Sequence, residues 1–385
     1  MPDYYVDCSN GNGVDSAGRG TTTSDPYLTI QFAIDDILAT HGKTATRDTI
    51  KVIGTSSVSG VAFNASTYGT GLAIVSDGLA AFGTSTTSRA VLDGSNNSGV
   101  ITNNSAGNQS YLTLSGFKVT GLQSGVHPIT VWQNSRIDNF FVDWVADGVT
   151  DYPKFLSQRN QTKTTNCYFK AKATTIGGAI VDTFSGCEVH NNFCDFEDTR
   201  AYSAQLRLHL MNGNSDNTYS NNTFWLKGSA QGLSANTTSP MVINNSFVGD
   251  DPTSLEAMGF VFWVSANYAV IANNHFENLR QCVGYNSNGT QTSGNVLFEG
   301  NTIHNCTYTT QDPSSTRTGY FIEKNNTTMT TSGVINAANG DLRASAARVG
   351  LAMAIKEGFP VPSTGATTGT NCVVPKIYNP FEGRR

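Results

Sequence analysis

The chain has 385 residues, of which 24 are basic and 29 acidic, so its formal net charge is −5. Gly, Asn, Ser and Thr supply 157 residues, whereas charged residues make up only 14%. Such a bias can indicate disorder, but 38% hydrophobic and 10% aromatic residues are enough to bury a large core. The scattered Lys and Arg form no basic patch for nucleic acid, and no apolar run approaches the roughly 18 residues of a membrane span. We therefore expect a folded, turn-rich chain with neither nucleic acid nor membrane as a partner.

The first predicted elements are a strand and a helix within residues 1–45. Asp25-Pro26 precedes a helical pattern of apolar residues from Ile30 to Leu38, and Gly42 follows that pattern. A Pro near the first turn and a Gly beyond the last are typical helix boundaries. Because the repeat that follows would leave an apolar open end, we expect this helix to cap it.

A repeated Asn-Asn-x-Phe phrase marks the middle of the chain. It occurs at residues 221–224, 244–247 and 273–276. Looser copies end at Phe117, Phe140, Phe169 and Ile303, and a further copy at Phe193 is shifted by one residue. Successive copies are 23 to 29 residues apart where they can be aligned directly. Self-similarity at this period is typical of a solenoid.

Short runs of alternating apolar and polar residues separate these phrases, for example at 205–210, 259–264 and 295–298. No run in this region has a helical pattern, which excludes helical repeats. Three short strands per repeat would close one coil, and Asn suits the tight corners between them. Stacked Asn side chains can also bond one another along the axis as an amide ladder. We predict an all-β parallel solenoid of about eight or more coils over residues 46–340.

The last predicted region, residues 341–385, is a C-terminal cap and an extended arm. Residues 341–357 have a helical pattern, and from Gly358 onward the chain is rich in Pro, Gly and Thr. That composition is typical of an extended segment with little structure of its own.

The sequence resembles the right-handed parallel β-helix proteins of the pectate-lyase-like superfamily. Residues 4–7, 25–27 and 29–34 are similar to the opening motif of many members, and Gly340-Asp341-Leu342-Arg343 resembles a phrase found where such solenoids end. The resemblance implies a right-handed parallel β-helix whose N-terminal end is capped by the helix. Members include polysaccharide lyases and hydrolases, epimerases, adhesins and bacteriophage tailspikes or fibres, so the fold does not select the function.

Lyases of this superfamily typically bind calcium on clustered acids and use an Arg or Lys as the base. The nearest approximation here consists of Asp138, Asp143, Asp147 and Asp151, followed by Lys154 and Arg159. Carboxylates could hold Ca²⁺, which would acidify a sugar proton for abstraction. However, spacings of four or five residues within one coil do not align on one sheet, so solvated acids are the alternative interpretation. Calcium is expected only if the chain is a lyase, and no other cofactor or metal is expected.

A glycoside hydrolase would need two carboxylates roughly 5 to 9.5 Å apart. One region supplies several acids, with His190 and Arg200 nearby. The candidate catalytic residues are Glu188, Asp195, Glu197 and Asp198. Alternation places Cys187 and Val189 inward, which leaves Glu188 and His190 outward. Solvated loop charges are the alternative interpretation.

The second strands of successive coils offer a stripe of outward side chains that suits sugar binding. Its members are Asp182, Arg207, His209, Trp263, Tyr285 and Glu323. Aromatic faces stack on pyranose rings, and charged groups bond hydroxyls. The same alternation places Phe260 and Phe262 inside. The alternative is that Trp263 is buried under a loop and the others are ordinary surface residues, and a shift of one residue would invert the assignment.

Two functions of different classes remain open. The first is a non-enzymatic fibre, spike or decoration protein of a virus particle, possessing a carbohydrate-facing surface and docking onto other virion proteins through the C-terminal arm. The N-terminus has no visible signal peptide, which a bacteriophage protein released by lysis does not need. A homotrimer is compatible with this role. The second is a polysaccharide lyase or glycoside hydrolase that reaches the outside by another route. We expect the first, with a host-surface glycan or another polysaccharide as the ligand.

Overall fold

In a computed structural model, the described residues are 3–8, 13–41, 48–53, 57–58, 61–63, 71–77, 89–93, 101–103, 111–120, 129–131, 133–146, 154–158, 160–174, 179–183, 185–200, 209–213, 216–235, 239–254, 257–262, 268–285, 295–310, 320–336 and 341–344. They form one helix, three parallel sheets and one antiparallel strand pair. The chain passes from sheet A to sheet B to sheet C and back again, so three consecutive strands complete a coil. The fold is the parallel β-helix that the repeat predicts.

Sheet A has twelve strands. They are β1 (Asp3–Val6), β2 (Asp48–Val52), β5 (Leu72–Ser76), β8 (Leu112–Ser115), β11 (Arg136–Asp138), β14 (Lys163–Thr165), β17 (Glu188–His190), β20 (Thr218–Ser220), β23 (Met241–Ile243), β26 (Ala269–Ala272), β29 (Asn295–Glu299) and β31 (Tyr320–Lys324). In the three-residue strands β11, β17, β20 and β23 a single central residue is fully buried between two outward neighbours, as Val189 is between Glu188 and His190. The expected inward placement of Cys187 and Val189 is thus confirmed.

Sheet B has eleven strands. They are β3 (Ser57–Val58), β6 (Val91–Asp93), β9 (Lys118–Thr120), β12 (Phe141–Ala146), β15 (Tyr168–Ala173), β18 (Phe193–Asp198), β21 (Thr223–Gly228), β24 (Ser246–Gly249), β27 (His275–Glu277), β30 (Thr302–His304) and β32 (Thr327–Thr328). In every sheet B strand from β12 to β30, the second residue lies in the core. The first and third residues of these strands therefore face outward. Sheet B therefore has an outer face built from fixed register positions.

Sheet C has nine strands. They are β4 (Val61–Phe63), β7 (Ile101–Asn103), β10 (Ile129–Val131), β13 (Lys154–Gln158), β16 (Ala179–Thr183), β19 (His209–Gly213), β22 (Gln231–Ala235), β25 (Met258–Phe262) and β28 (Gln281–Tyr285). Phe260 and Phe262 lie in the core with their rings 4.7 Å apart, as the alternation predicts.

A ladder of Asn side chains follows the corner between sheets A and B, and every member except the half-buried last one is buried. Its members are Asn192, Asn222, Asn245, Asn274, Asn301 and Asn326. Each Nδ2 donates to the Oδ1 of the next member at 2.9–3.1 Å, and each backbone N–H donates to the same oxygen. The predicted amide ladder is present, and it satisfies buried polar groups that the corner would otherwise leave unpaired.

The residue before each ladder position has a left-handed backbone, which explains the doubled Asn of the repeat. Asn191, Asn221, Asn244 and Asn273 have φ between 56° and 62°, and Gly300 takes the same place with φ 64°. Asn tolerates this conformation better than other side chains, and Gly adopts it freely. The first Asn therefore forms the corner, and the second forms the ladder.

The structure corrects the alignment of the earlier copies of the repeat. Phe117 and Phe140 each lie directly before a sheet B strand. In later coils this position is occupied first by Cys167 and then by the Asn ladder, whereas Phe169 is the second residue of its strand. Phe193 faces outward, because Cys194 takes the inward position between Phe169 and the next coil. The sequence alone misaligns the loose copies, because a Phe fits both the position before the strand and the second position of the strand.

The N-terminal helix α1 (Ile30–His41) packs against β1 and β2 at the start of the solenoid. Its apolar face, including Ile30, Ile34 and Ile37, is buried in the core. The hydroxyl of Thr29 accepts the N–H of Phe32 at 3.2 Å, which caps the first turn. The expected capping helix is confirmed. No helix in the described part of the chain is long and apolar enough to cross a bilayer.

The chain leaves the solenoid after β32 and forms an antiparallel pair, β33 (Val334–Asn336) and β34 (Asp341–Ala344), here called the C-terminal hairpin. Residues 341–344 are thus a strand and not the start of the predicted helix; the rest of that helix and the extended arm lie outside the described residues. Val334 and Leu342 belong to one buried apolar cluster on the outer face of sheet B, against which Trp225 packs; its other members are Phe141, Tyr168, Phe193 and Val248. The hairpin therefore lies on this face.

The carboxylate of Glu277 anchors the same segment. It accepts hydrogen bonds from Ser332 Oγ, from the N–H of Gly333 at 2.9 Å and from the ring of His275 at 2.8 Å. Burial alone would raise the pKa of Glu277, but these hydrogen bonds and the charge on His275 together lower it. Glu277 is only 1% exposed, so a buried, ionised carboxylate anchors the residues that lead into the C-terminal hairpin.

Candidate functional site

The four predicted catalytic acids do not form one cluster. Glu188 faces outward on sheet A and pairs with Lys163 at 2.8 Å. Asp198 is buried at the end of β18, level with the core residue Ala173, and makes a two-point ion pair with Arg200 at 2.6 and 2.9 Å. Asp198 is therefore separated from the outward side chains of Asp195 and Glu197. Asp195 and Glu197 remain together on the outer face of sheet B.

The predicted sugar-binding stripe does not lie on one sheet. Asp182, His209 and Tyr285 are in strands of sheet C, but Glu323 is in β31 of sheet A, level with the buried Phe298. The placement of Glu323 in the stripe is therefore wrong, because the last coil contributes it to a different sheet. His209 pairs with Ala179 in the neighbouring strand β16. Arg207 and Trp263 lie outside the described residues.

The predicted calcium acids are also dispersed. Asp138 is on sheet A, where it accepts Asn166 Nδ2 at 2.8 Å and pairs with Arg136 at 2.9 Å. Asp143 faces outward on sheet B. Lys154 starts β13 of sheet C, whereas Asp147, Asp151 and Arg159 lie outside the described residues. Within the described part of the chain, no group of three or more His, Cys, Asp or Glu side chains could hold a metal ion.

The charged and aromatic side chains at the third and fifth positions of β12, β15, β18 and β21 form a continuous surface on sheet B, here called the sheet B patch. Its members are Asp143, Lys170, Lys172, Asp195, Glu197, Trp225 and Lys227. Neighbouring strands are about 4.8 Å apart and alternate residues about 6.6 Å apart, so the patch is about 14 Å long and about 7 Å wide. These dimensions suit a few sugar units.

Each lysine of the patch is paired with an acid on a neighbouring strand. Lys172 Nζ lies 2.6 Å from Glu197 Oε1, and Lys170 Nζ lies 3.8 Å from Asp143 Oδ1. Lys227 Nζ lies 2.5 Å from Asp195 Oδ1 and 4.2 Å from the centre of the Trp225 ring. The patch therefore combines balanced charges with an indole that a cation already covers.

Three outward aromatic rings lie beside the patch at the first position of β12, β15 and β18. Phe141 and Phe193 stack on the two faces of Tyr168, with ring centres 5.2 and 5.3 Å apart. Burial raises the pKa of Tyr168, and the charges of Asp195 and Asp143 raise it further. The hydroxyl group of Tyr168 therefore stays protonated close to these two carboxylates.

Three buried donors of this face have no hydrogen-bond partner in the structure as described: the Tyr168 hydroxyl, the Thr223 hydroxyl and the Trp225 indole N–H. Tyr168 and Thr223 are each 2% exposed and belong to the strands on either side of β18. An unpaired buried donor costs about 1–3 kcal/mol, so such groups need an explanation.

Sequence reasoning identified Asp143, Asp195 and Glu197 but missed the three lysines, Tyr168 and Trp225 of the same face. A signal for them was present in the repeat. The Phe of each Asn-Asn-x-Phe phrase points inward, so the residue after it must point outward. That residue is Lys170 after Phe169 and Trp225 after Phe224.

No known protein family and no curated protein matches the sequence. Among solved structures, the chain is similar to a rhamnogalacturonan lyase, with 14% identity, a TM-score of 0.41 and coverage of 79% of this chain and 74% of the other. The GH136 lacto-N-biosidase from Eubacterium ramulus has 8% identity, a TM-score of 0.44 and coverage of 85% and 67%. A rice weevil pectin methyl esterase has 14% identity, a TM-score of 0.37 and coverage of 81% and 89%. Similarities this low assign no activity to the chain.

Proposed function

We propose that the chain binds a polysaccharide on the outer face of sheet B, with the sheet B patch as the contact surface. The observation that supports this proposal is the row of charged side chains with an indole among them, placed at fixed register positions of four neighbouring strands. Sugar hydroxyl groups hydrogen-bond to charged side chains, and the apolar faces of sugars pack on aromatic rings.

The experiment that tests binding is affinity electrophoresis of the full chain through gels containing a panel of soluble polysaccharides. Trp225→Ala should weaken the retarding interaction, because it removes the aromatic surface of the patch and the ring on which Lys227 lies. The matched control is Tyr268→Asn, which removes a 73% exposed ring beside sheet A and suits the positive φ of that position. If no polysaccharide retards the wild type, or if both variants lose binding equally, the proposal is wrong.

A second candidate function is glycoside hydrolysis by Asp195 and Glu197. These acids face outward two residues apart on β18, so their Cα atoms are about 6.6 Å apart and their carboxyl groups lie on the same face, as a glycosidase pair requires. Incubation with the same panel would release reducing ends, and Asp195→Asn or Glu197→Gln would abolish the release. If the wild-type protein binds a polysaccharide without cleaving it, the hydrolase hypothesis is wrong and binding remains the proposed function.

The virus-particle role stays a prediction, as do a virion or other extracellular location and a homotrimer. It relies on the arm from Gly358 onward, which lies outside the described residues. Analytical ultracentrifugation of the full chain tests the homotrimer, and a monomer at all concentrations would contradict it.

A further inference from the structure

We propose that the sheet B patch takes an uncharged polysaccharide and not a polyanion; this inference rests on the proposed function. The patch contains three lysines and three carboxylates and therefore has no net charge. Every lysine has a carboxylate partner within 4 Å. An acidic polysaccharide needs cations that are free to meet its charges, and the patch offers none that is not already paired.

Burial strengthens this argument at the Lys227–Asp195 pair. The side chain of Asp195 is 6% exposed and that of Lys227 is 23% exposed. If Lys227 turned to a ligand carboxylate, Asp195 would be left as a buried charge without a partner, which is strongly unfavourable. The ion pair therefore holds Lys227 away from an anionic ligand.

The charges at the third residue of neighbouring sheet B strands also disfavour binding of a polyanion. Lys170 is the most exposed lysine of the patch at 52%, but Asp143 and Asp195 occupy the same position on the two flanking strands. A ligand carboxylate at Lys170 would therefore lie within about one strand spacing of two acids. The net charge of −5 adds long-range repulsion.

The test compares dextran, laminarin and galactomannan with polygalacturonate and alginate as probes, between about 0.01 M and about 1 M salt. We expect the wild type to bind at least one neutral probe, with an affinity that salt leaves nearly unchanged, and to bind neither polyanion measurably. Tighter, salt-sensitive binding of a polyanion would overturn this inference but leave the proposed function standing. Binding of no probe at all would overturn both.

A pair of double variants makes the test sharper. Asp195→Asn with Glu197→Gln frees two patch lysines and should raise the affinity for polygalacturonate about tenfold at low salt. The matched control, Asp138→Asn with Glu188→Gln, frees Arg136 and Lys163 on sheet A and makes the same change in net charge. An equal gain in both variants would mean that total charge and not the patch excludes polyanions, and would overturn the inference. If a double variant does not fold, the wild-type comparison still decides.

Discussion

Replacing Asn245 by Ala removes one member of the Asn ladder and should strongly destabilise the solenoid. Asn245 Oδ1 accepts both the backbone N–H and the Nδ2 of Asn222 at 2.9 Å. Its Nδ2 donates to Asn274 Oδ1 at 3.0 Å and to the carbonyls of Tyr219 and Ile243 at 3.0 and 3.1 Å. The Nδ2 of Asn245 has two hydrogens for three acceptors, so one hydrogen is shared and about four hydrogen bonds are lost. Each contributes about 0.5–1.5 kcal/mol, and the N–H of Asn222 stays buried without an acceptor. The expected decrease in the free energy of unfolding is about 3–6 kcal/mol.

Equilibrium urea unfolding followed by circular dichroism measures this decrease. The matched control is Asn244→Gly at the preceding position, where φ is 58° and Gly adopts the required conformation freely. The control should change the free energy of unfolding by less than about 1 kcal/mol. If Asn245→Ala costs no more than the control, the ladder does not stabilise the fold in the way that its hydrogen bonds indicate.

Other contacts give further predictions. Glu277→Gln should loosen the C-terminal hairpin and speed amide exchange over residues 332–344; unchanged exchange would contradict the anchor. Since the folded-state pKa of Glu277 is lowered, its stabilisation is complete above about pH 4.3 and is lost as pH falls through the folded value. In that acid range the wild type should therefore lose more stability than Glu277→Gln. Gly228→Ala should lower the melting temperature by several degrees, because φ is +64° and the new Cβ would collide with the Asp198 carbonyl; an unchanged melting temperature would refute this. Burial raises the pKa of Cys167 to about 12, so peptide mapping should find this thiol alkylated only after unfolding, and rapid modification of Cys167 in the native protein would contradict its burial.

The sequence predicts the coils well because the Asn-Asn-x-Phe phrase records a local requirement of the backbone. Asn221 must take a left-handed conformation and Asn222 must bond the next coil, so both residue types recur at the period of the coil. Where the phrase is loose, as at Phe140, the sequence alone does not distinguish the ladder position from the core position. The alignment then fails by two residues.

The candidate site was harder to predict because its members come from four coils. Asp195 and Glu197 are close in sequence, but Lys172 and Lys227 join them only through the register of sheet B. A coil length that varies from one repeat to the next hides that register until each strand is aligned. Glu323 shows the opposite error, since its chemistry suits sugar binding but its strand belongs to sheet A.

The most direct test of the sheet B patch as a glycan-binding face is lysine footprinting by an amine-acylating reagent, read by mass spectrometry. The full chain would be acylated with and without a saturating concentration of a neutral polysaccharide that retards it in gels. We expect the glycan to protect Lys170, Lys172 and Lys227 and to leave Lys163 on sheet A as reactive as before. Protection of Lys163 without protection of the patch lysines, or no change at the patch while the glycan is bound, would contradict the account.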